Sequence, residues 1–110
     1  MAFVEVSETN KLDELFAQSS EKPVILFKHS LTCPISHAAY EEVALLNDEE
    51  VALIVIQDAR GLSNEIAVRT GIKHESPQIL IVNEGKVVWH ASHYDITKAA
   101  TIRALEEIRQ

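Results

Sequence analysis

The sequence is poor in cysteine, glycine and proline, with one cysteine, three glycines and three prolines in 110 residues. With one cysteine, no disulfide can form within the chain, so any disulfide chemistry must recruit a thiol from another molecule. The remaining composition, 46% hydrophobic and 25% charged, is that of an ordinary globular domain. No repeat, low-complexity tract or linker divides the chain, and we expect one domain over residues 1–110.

Positive charge and long apolar runs are also scarce. The net charge is −7, which disfavours nucleic acid and anionic lipid as partners. No apolar run approaches the roughly 18 residues of a membrane span. The first six residues have neither the basic region nor the apolar stretch of a signal peptide. We therefore expect a cytoplasmic protein, in a compartment where a lone cysteine stays reduced unless it takes part in chemistry.

The single cysteine, Cys33, lies between a predicted strand and a predicted helix. Residues 23–27 form a continuous apolar run, which is typical of a strand buried on both faces. Proline is tolerated at the first position of a helix, so Pro34 predicts that the helix begins there and that Cys33 is its N-cap. The sulfur is then expected to face the free N–H groups of Ile35 and Ser36. The predicted buried face of this helix consists of Ile35, Ala38, Ala39, Val43 and Leu46.

This position has consequences for the thiol. A helix N-terminus carries a partial positive charge and favours the thiolate of a cysteine placed there. The gain in thiolate fraction is roughly offset by a loss of intrinsic nucleophilicity. Release improves, because a stabilised thiolate is the better leaving group from a mixed disulfide. We therefore expect Cys33 to take a thiol compound from one molecule as a mixed disulfide and to release it to another.

Two buried β-branched runs joined by the Cys33 helix predict a parallel βαβ unit. The segment 83–86, read as Asn-Glu-Gly-Lys, predicts a hairpin turn with its glycine where a positive φ is wanted. The expected order is βαβαβαββα, a mixed α/β sheet of four or five strands with helices on both faces. The expected strands are 3–6, 23–28, 51–56, 79–82 and 87–91. The expected helices begin after Asn10 and at Pro34 and span 62–70 and 96–109, with Leu12, Leu15, Phe16, Leu62, Ile66, Ala99, Ile102, Leu105 and Ile108 facing inward.

This order, with a cysteine at the start of a helix after a buried strand, resembles the thioredoxin fold. Three motifs, Thr-Cys-Pro-Ile-Ser at 32–36, His-Glu-Ser-Pro-Gln at 74–78 and Trp-His-Ala-Ser-His at 89–93, make the likeness closer. They resemble the monothiol bacilliredoxins, the YtxJ-like bacillithiol system proteins of the thioredoxin-like superfamily. The likeness covers almost the whole chain. It implies that Cys33 is the catalytic, redox-active residue and that Ser36 stands where a dithiol relative carries its resolving cysteine.

The resemblance implies a monothiol thiol–disulfide oxidoreductase that removes bacillithiol from protein mixed disulfides. Cys33 would attack the bacillithiol sulfur, and a second low-molecular-weight thiol would release it. Bacillithiol is then a co-substrate, no tightly bound cofactor is expected, and the protein partners are bacillithiolated clients. The residues expected to bind substrate are Thr32, Pro34, Ser36, His37, Ser76 and Pro77.

Two of these residues allow a simpler interpretation. In thioredoxin-fold proteins the proline matching Pro77 follows a cis peptide bond and faces the cysteine, but a proline also commonly just begins a strand. His37 lies one helical turn after Cys33. As a cation it would stabilise the thiolate, and otherwise it is a solvent-facing helix residue.

The other histidines and lysines are less specific. His29, with Lys28, ends the strand before Cys33, and we expect His29 to be a spectator. The spacing of His29, Cys33 and His37 resembles that of metal ligands, but no fourth ligand is evident and no metal is expected. His74 is expected near Pro77, whereas Trp89, His90 and His93 are expected to be structural. Bacillithiol carries a malate group, and the candidates for contacting it are the start of the Cys33 helix together with Lys28, Arg60 and Lys73.

Two other functions compete with this one. An iron–sulfur carrier of the monothiol glutaredoxin type would use one protein cysteine and one external thiol at each iron. Pro34 departs from the glycine that this family places after its cysteine. The third possibility is a redox-silent interaction module that retains the same scaffold. Colour after anaerobic reconstitution identifies the carrier, and failure of Cys33 to accept a thiol identifies the silent module.

Overall fold

Five strands form one mixed sheet in the computed structural model, which describes residues 2–109. The strands are β1 (Ala2–Glu5), β2 (Val24–His29), β3 (Glu50–Val55), β4 (Gln78–Asn83) and β5 (Lys86–Ser92). The helices are α1 (Lys11–Gln18), α2 (Pro34–Ala44), α3 (Arg60–Thr70) and α4 (Lys98–Arg109). Two short 3-10 turns, Ile56–Asp58 and His93–Asp95, follow β3 and β5.

The sheet order is β1-β3-β2-β4-β5. The first three strands in this order are parallel, and β4 and β5 run antiparallel to their neighbours. Parallel neighbours need crossover connections, and helices supply them here. The observed topology confirms the predicted thioredoxin-like α/β fold and gives the sheet five strands. It also brings the carboxyl ends of β2 and β3 to the same edge as the start of β4.

Helices cover both faces of the sheet because the side chains of its central strands alternate between two cores. Phe27 and Ile79 belong to the core that contains residues of α2 and α4. Leu26 and Leu80 belong to the core that contains residues of α1 and α3. All six residues of β2 are buried, including its last two, which are polar. The sheet therefore extends its buried interior up to the edge where β2 ends.

The predicted elements are present, with small differences at their ends. The last helix begins at Lys98 rather than at Ile96, because the Thr97 hydroxyl accepts the N–H of Ala100 at 3.1 Å and caps it. Ile96 instead lies buried directly after the turn His93–Asp95. The third helix begins two residues earlier than predicted, at Arg60.

Two alanines were placed on the wrong helix face. Ala38 and Ala99 are exposed rather than buried. The inner face of α4 contains Thr101 instead, whose hydroxyl donates to the Thr97 carbonyl at 2.8 Å and so loses no hydrogen bond on burial. Alanine is small and gains little by burial, so its spacing is a weak indicator of which face points inward.

The hairpin between β4 and β5 has the predicted chemistry. Glu84 and Gly85 both have positive φ, 52° and 77°, which is the pattern of the tight turn that matches strand twist. The turn is tied to the end of α1, because Ser19 accepts the N–H groups of both residues, at 2.9 Å each. Within residues 2–109 no helix is long and apolar enough to span a membrane.

Candidate active site

Cys33 is the N-cap of α2, with Pro34 at the first helical position, as predicted. Its backbone is extended, with φ −105° and ψ 120°, and its carbonyl accepts the N–H of His37 at 3.0 Å. The sulfur makes no capping hydrogen bond, so the expected contact with the first-turn N–H groups is not formed. The side chain is half-exposed instead. The chain's only thiol is therefore reachable from solvent at the positive end of a helix.

The loop before Cys33 is braced by Gln57, which follows β3. Gln57 Oε1 accepts the N–H of Leu31 at 3.2 Å. Its Nε2 donates to Ser30 Oγ at 3.0 Å and to Thr32 Oγ1 at 3.5 Å. Sequence reasoning missed this residue. The available signal was a polar side chain placed directly after a buried strand, because the carboxyl ends of neighbouring parallel strands meet at one edge.

Ser36 lies beneath the site and is completely buried. Its Oγ is 2.8 Å from His29 Nδ1 and accepts the N–H of Ser30, also at 2.8 Å. These bonds fasten the first turn of α2 to the end of β2. The burial revises the prediction that Ser36 binds substrate directly, because its hydroxyl meets protein partners rather than solvent.

His29 is a buried histidine of the core. Its ring packs against Tyr40, with ring centroids 4.9 Å apart. Burial lowers the pKa of His29 below 6.5, and the nearby His37 lowers it further, while a hydrogen bond with Ser36 acts in the opposite direction. The imidazole is therefore neutral at pH 7. Because its Nδ1 is already engaged by Ser36, His29 does not offer that nitrogen to a metal.

His37 is exposed and pairs with a carboxylate on its own helix. Its Nε2 is 3.0 Å from Glu41 Oε1, one turn farther from Cys33. This contact agrees with the interpretation of His37 as a solvent-facing helix residue. A direct effect of His37 on the Cys33 thiolate stays a prediction.

Pro77 lies at the same sheet edge as the Cys33 loop. The Ser76–Pro77 peptide bond is cis, as the likeness to thioredoxin-fold proteins implied. Lys28 pairs with Gln78 in the antiparallel register, which places Pro77 level with His29 at the end of β2. The Pro77 carbonyl accepts the N–H of His93 at 3.1 Å. The fold thus brings two of the predicted site segments, 32–36 and 76–77, to one edge.

A match to a protein family identifies the class of protein to which this site belongs. The sequence model described as monothiol bacilliredoxin BrxC matches residues 4–101. The chain belongs to the monothiol bacilliredoxin family. That match covers the strand before Cys33, the cysteine motif and the cis-proline loop.

Solved structures with the same fold are also similar to this chain. A candidate oxidoreductase with a thioredoxin fold is 32% identical, superposes with a TM-score of 0.87, and the match covers 94% of this chain and 93% of that one. A thioredoxin from Fasciola hepatica has a TM-score of 0.74 at 14% identity, covering 97% and 98% of the two chains. Thioredoxin F from spinach chloroplast has a TM-score of 0.71 at 18% identity, covering 99% and 95%. The two thioredoxins show the shared fold, and the family together with the fold supports a thiol oxidoreductase.

Lys28 in this bacilliredoxin is completely buried, on the opposite face of the sheet from His29. Its Nζ donates to the Ser63 carbonyl and to His74 Nδ1, at 3.1 Å each. Burial lowers the pKa of Lys28 from 10.5 to about 8. The side chain therefore does not reach an anionic ligand in solvent, which removes it from the predicted malate contacts. Arg60, at the start of α3, and Lys73 remain exposed.

Two large apolar side chains that sequence reasoning did not select are exposed, one beside Cys33 and one in the turn after β5. Leu31, two residues before Cys33, is 63% exposed, and Tyr94, in the turn after β5, is 74% exposed. Thr32 and Pro34, predicted to bind substrate, are exposed beside the cysteine. Ser76 is half-buried, and its hydroxyl oxygen is buried. Among the residues that the structure describes, no three of His, Cys, Asp and Glu are grouped as metal ligands.

Proposed function

We propose that this protein removes bacillithiol from mixed disulfides with other proteins, and that Cys33 carries the exchange. The observation that supports this most directly is the position of the only thiol. Cys33 is half-exposed at the start of α2, at the sheet edge that also holds the Ser76–Pro77 segment. A thiol in this position is reachable by a disulfide that belongs to another molecule.

The exchange takes two steps with no net oxidation. In the first, the Cys33 thiolate attacks the bacillithiol sulfur of the mixed disulfide. A bond forms between Cys33 and bacillithiol, the original disulfide breaks, and the client protein leaves as a thiolate. In the second step, a free bacillithiol thiolate attacks the bacillithiol sulfur bound to Cys33. Bacillithiol disulfide forms and Cys33 leaves as the thiolate, assisted by the positive end of α2.

The second step requires an external thiol because the chain supplies none. The position three residues after Cys33 holds Ser36, and its hydroxyl is buried and engaged by His29 and Ser30. The Cys33–bacillithiol intermediate therefore persists until a small thiol reaches it. This persistence makes the intermediate a measurable species.

Bacillithiol is an anion, and the site offers positive charge to it. The N-terminus of α2 lies at Cys33, and Arg60 and Lys73 are exposed cations. The exposed side chains of Thr32 and Pro34 flank the sulfur. We propose these groups as the surroundings of the bound thiol.

Intact-mass analysis after incubation with a bacillithiolated protein tests the proposal. We expect the wild type to gain the mass of one bacillithiol and Cys33→Ser to gain none. Ser36→Ala should still accept one bacillithiol, because the serine takes no part in bond exchange. Absence of the adduct on folded wild-type protein, or its presence on Cys33→Ser, would contradict the proposal.

A further inference from the structure

The least expected side chain in the interior is Lys28. It is completely buried, and no carboxylate within residues 2–109 forms an ion pair with it. Lysine is rarely buried without a paired charge, because removing an ammonium group from water is costly. The other β2 residues on the same face, Val24 and Leu26, are apolar. Something other than packing therefore accounts for the lysine.

Its two hydrogen bonds connect separate parts of the chain. One goes to the Ser63 carbonyl in the first turns of α3, and the other goes to His74 Nδ1. His74 belongs to the segment 71–77, which runs from α3 to β4 and ends in the cis peptide at Pro77. The ammonium group thus joins a rigid helix to the loop that carries Ser76–Pro77.

A second hydrogen bond, from a buried side chain of β4, holds the same loop. Gln78, the partner of Lys28 in the sheet register, is buried, and its Nε2 donates to the Lys73 carbonyl at 2.9 Å. Ser63 Oγ lies 3.2 Å from His74 Nδ1. The loop is therefore held by three buried polar residues, Lys28, Ser63 and Gln78, of which Lys28 is the one cation.

We propose that Lys28 is a positioning residue that, through His74, fixes the loop carrying Ser76–Pro77 against the Cys33 loop. This inference rests on the proposed exchange at Cys33, because positioning matters only if a disulfide is presented there. Lys28 itself touches neither sulfur nor substrate. It acts from the face of the sheet that contacts α3, whereas Ser36 and His29 support the Cys33 loop from the face that contacts α2.

The charge states at this contact fit the proposed arrangement. His74 Nδ1 accepts from Lys28, so the ring proton is on Nε2 and the imidazole is neutral. Burial lowers the pKa of His74, the charges of Lys28 and Arg60 lower it further, and Glu75 opposes them. A protonated His74 would turn an N–H toward the ammonium group and break the contact. The hydrogen bond is therefore compatible with an ammonium group at Lys28 and a neutral ring at His74.

Four variants test the inference. Lys28→Met keeps the length of the side chain but removes the donor, and His74→Leu removes the acceptor. His74→Asn restores an acceptor close to the position of Nδ1, so it should rescue the loop. Lys86→Met is the matched control, because Lys86 is exposed at the start of β5 and its loss removes the same charge.

The first measurement is the rate of exchange between Cys33 and a bacillithiolated protein. We expect Lys28→Met and His74→Leu to lower this rate about tenfold, since misplacing a reacting geometry by about 1 Å can cost a factor of 10². His74→Asn and Lys86→Met should stay within about twofold of the wild type. The rate of Cys33 alkylation by iodoacetamide should not change in any variant, because the thiol itself is untouched. A purely structural effect of Lys28 would instead alter both rates.

The second measurement is hydrogen exchange of the amides in residues 71–78, which does not depend on bacillithiol chemistry. Lys28→Met and His74→Leu should lose protection there while the amides of β2 keep it, and His74→Asn should restore it. If the wild type forms no adduct, the proposed function fails and loop protection alone decides the role of Lys28. If the wild type exchanges and Lys28→Met matches it in rate or in loop protection, the positioning inference is overturned. Should Lys28→Met fail to fold, the comparison of His74→Leu with His74→Asn decides.

Discussion

Replacing Lys28 by methionine should change how the stability of this protein depends on pH. Methionine retains an unbranched apolar stem of similar length, so the packing at the end of β2 is kept. The ionisable group is lost, together with its bonds to Ser63 and His74. Because a buried ammonium group contributes little net stability, we expect Lys28→Met to be at least as stable as the wild type near pH 7.

The size of the effect follows from the pKa of Lys28. It is 10.5 for an ordinary lysine and about 8 in the folded chain, because burial penalises the ammonium ion. At about 1.4 kcal/mol for each pKa unit, the charged form is disfavoured in the fold by roughly 3 kcal/mol. Between pH 8 and 10.5 the unfolded chain binds more protons than the folded chain. The free energy of unfolding of the wild type, relative to the variant, therefore rises through this window by up to roughly 3 kcal/mol and is constant below it.

Urea denaturation of both proteins between about pH 7 and pH 10.5, followed by circular dichroism, measures this difference. Both should carry Cys33→Ser, so that neither ionisation nor oxidation of the thiol contributes. Lys86→Met in the same background shows the effect of losing an exposed lysine. Titration of groups that do not contact Lys28 cancels in the subtraction. Parallel curves for the wild type and Lys28→Met, or a difference that moves in the opposite direction, would refute the argument that Lys28 is held as a buried cation.

Three further predictions concern the neighbouring groups. Gln57→Leu should slow exchange at Cys33 severalfold, measured as the rate of reaction with a bacillithiolated protein. It should change the unfolding free energy by only about 1 kcal/mol, because the lost bonds hold an exposed loop. An unchanged rate would show that the contacts of Gln57 are dispensable. Ser36→Ala should lower the unfolding free energy, measured by urea denaturation, by about 1–3 kcal/mol, because His29 Nδ1 and the Ser30 N–H lose their buried partner. An unchanged unfolding free energy would mean that water replaces the hydroxyl. Because the pKa values of His29 and His74 are lowered in the fold, the unfolded chain binds protons first as the pH falls through 6.5. The free energy of unfolding should therefore decrease below that pH, and the double variant His29→Asn with His74→Asn should reduce this dependence on pH. Equal slopes of unfolding free energy against pH for the two proteins would contradict this.

The sequence predicted the features that depend on neighbours along the chain. The apolar run before Cys33 and the proline after it define the strand, the helix boundary and the N-cap, and each is present in the structure. The glycine of the 83–86 turn has the positive φ that its position demands. These features follow from backbone sterics and from burial of a continuous run, which a single segment determines by itself.

The contacts that support the site could not be predicted in the same way. Lys28 bonds to a carbonyl 35 residues away, and Gln57 bonds to a loop more than 20 residues before it. Both contacts depend on which strand ends meet at one edge of the sheet. The sequence analysis predicts a spectator role for His29 and an anion contact for Lys28, because the end of a strand gives no sign of how deeply its last side chains are buried. The substrate-binding role expected for Ser36 came from the family resemblance, which does not show that its hydroxyl is buried against His29 and Ser30.

The buried hydroxyl of Ser36 also limits how readily this protein could acquire a second redox centre. A cysteine at position 36 would place a larger atom, and a weaker hydrogen-bonding group, where oxygen now serves both His29 and Ser30. To close a disulfide with Cys33, it would also have to abandon the strand end that it secures. Conversion to a two-cysteine enzyme by this route therefore calls for a coordinated change at His29, and the single-thiol chemistry is built into the scaffold as well as into the cysteine count.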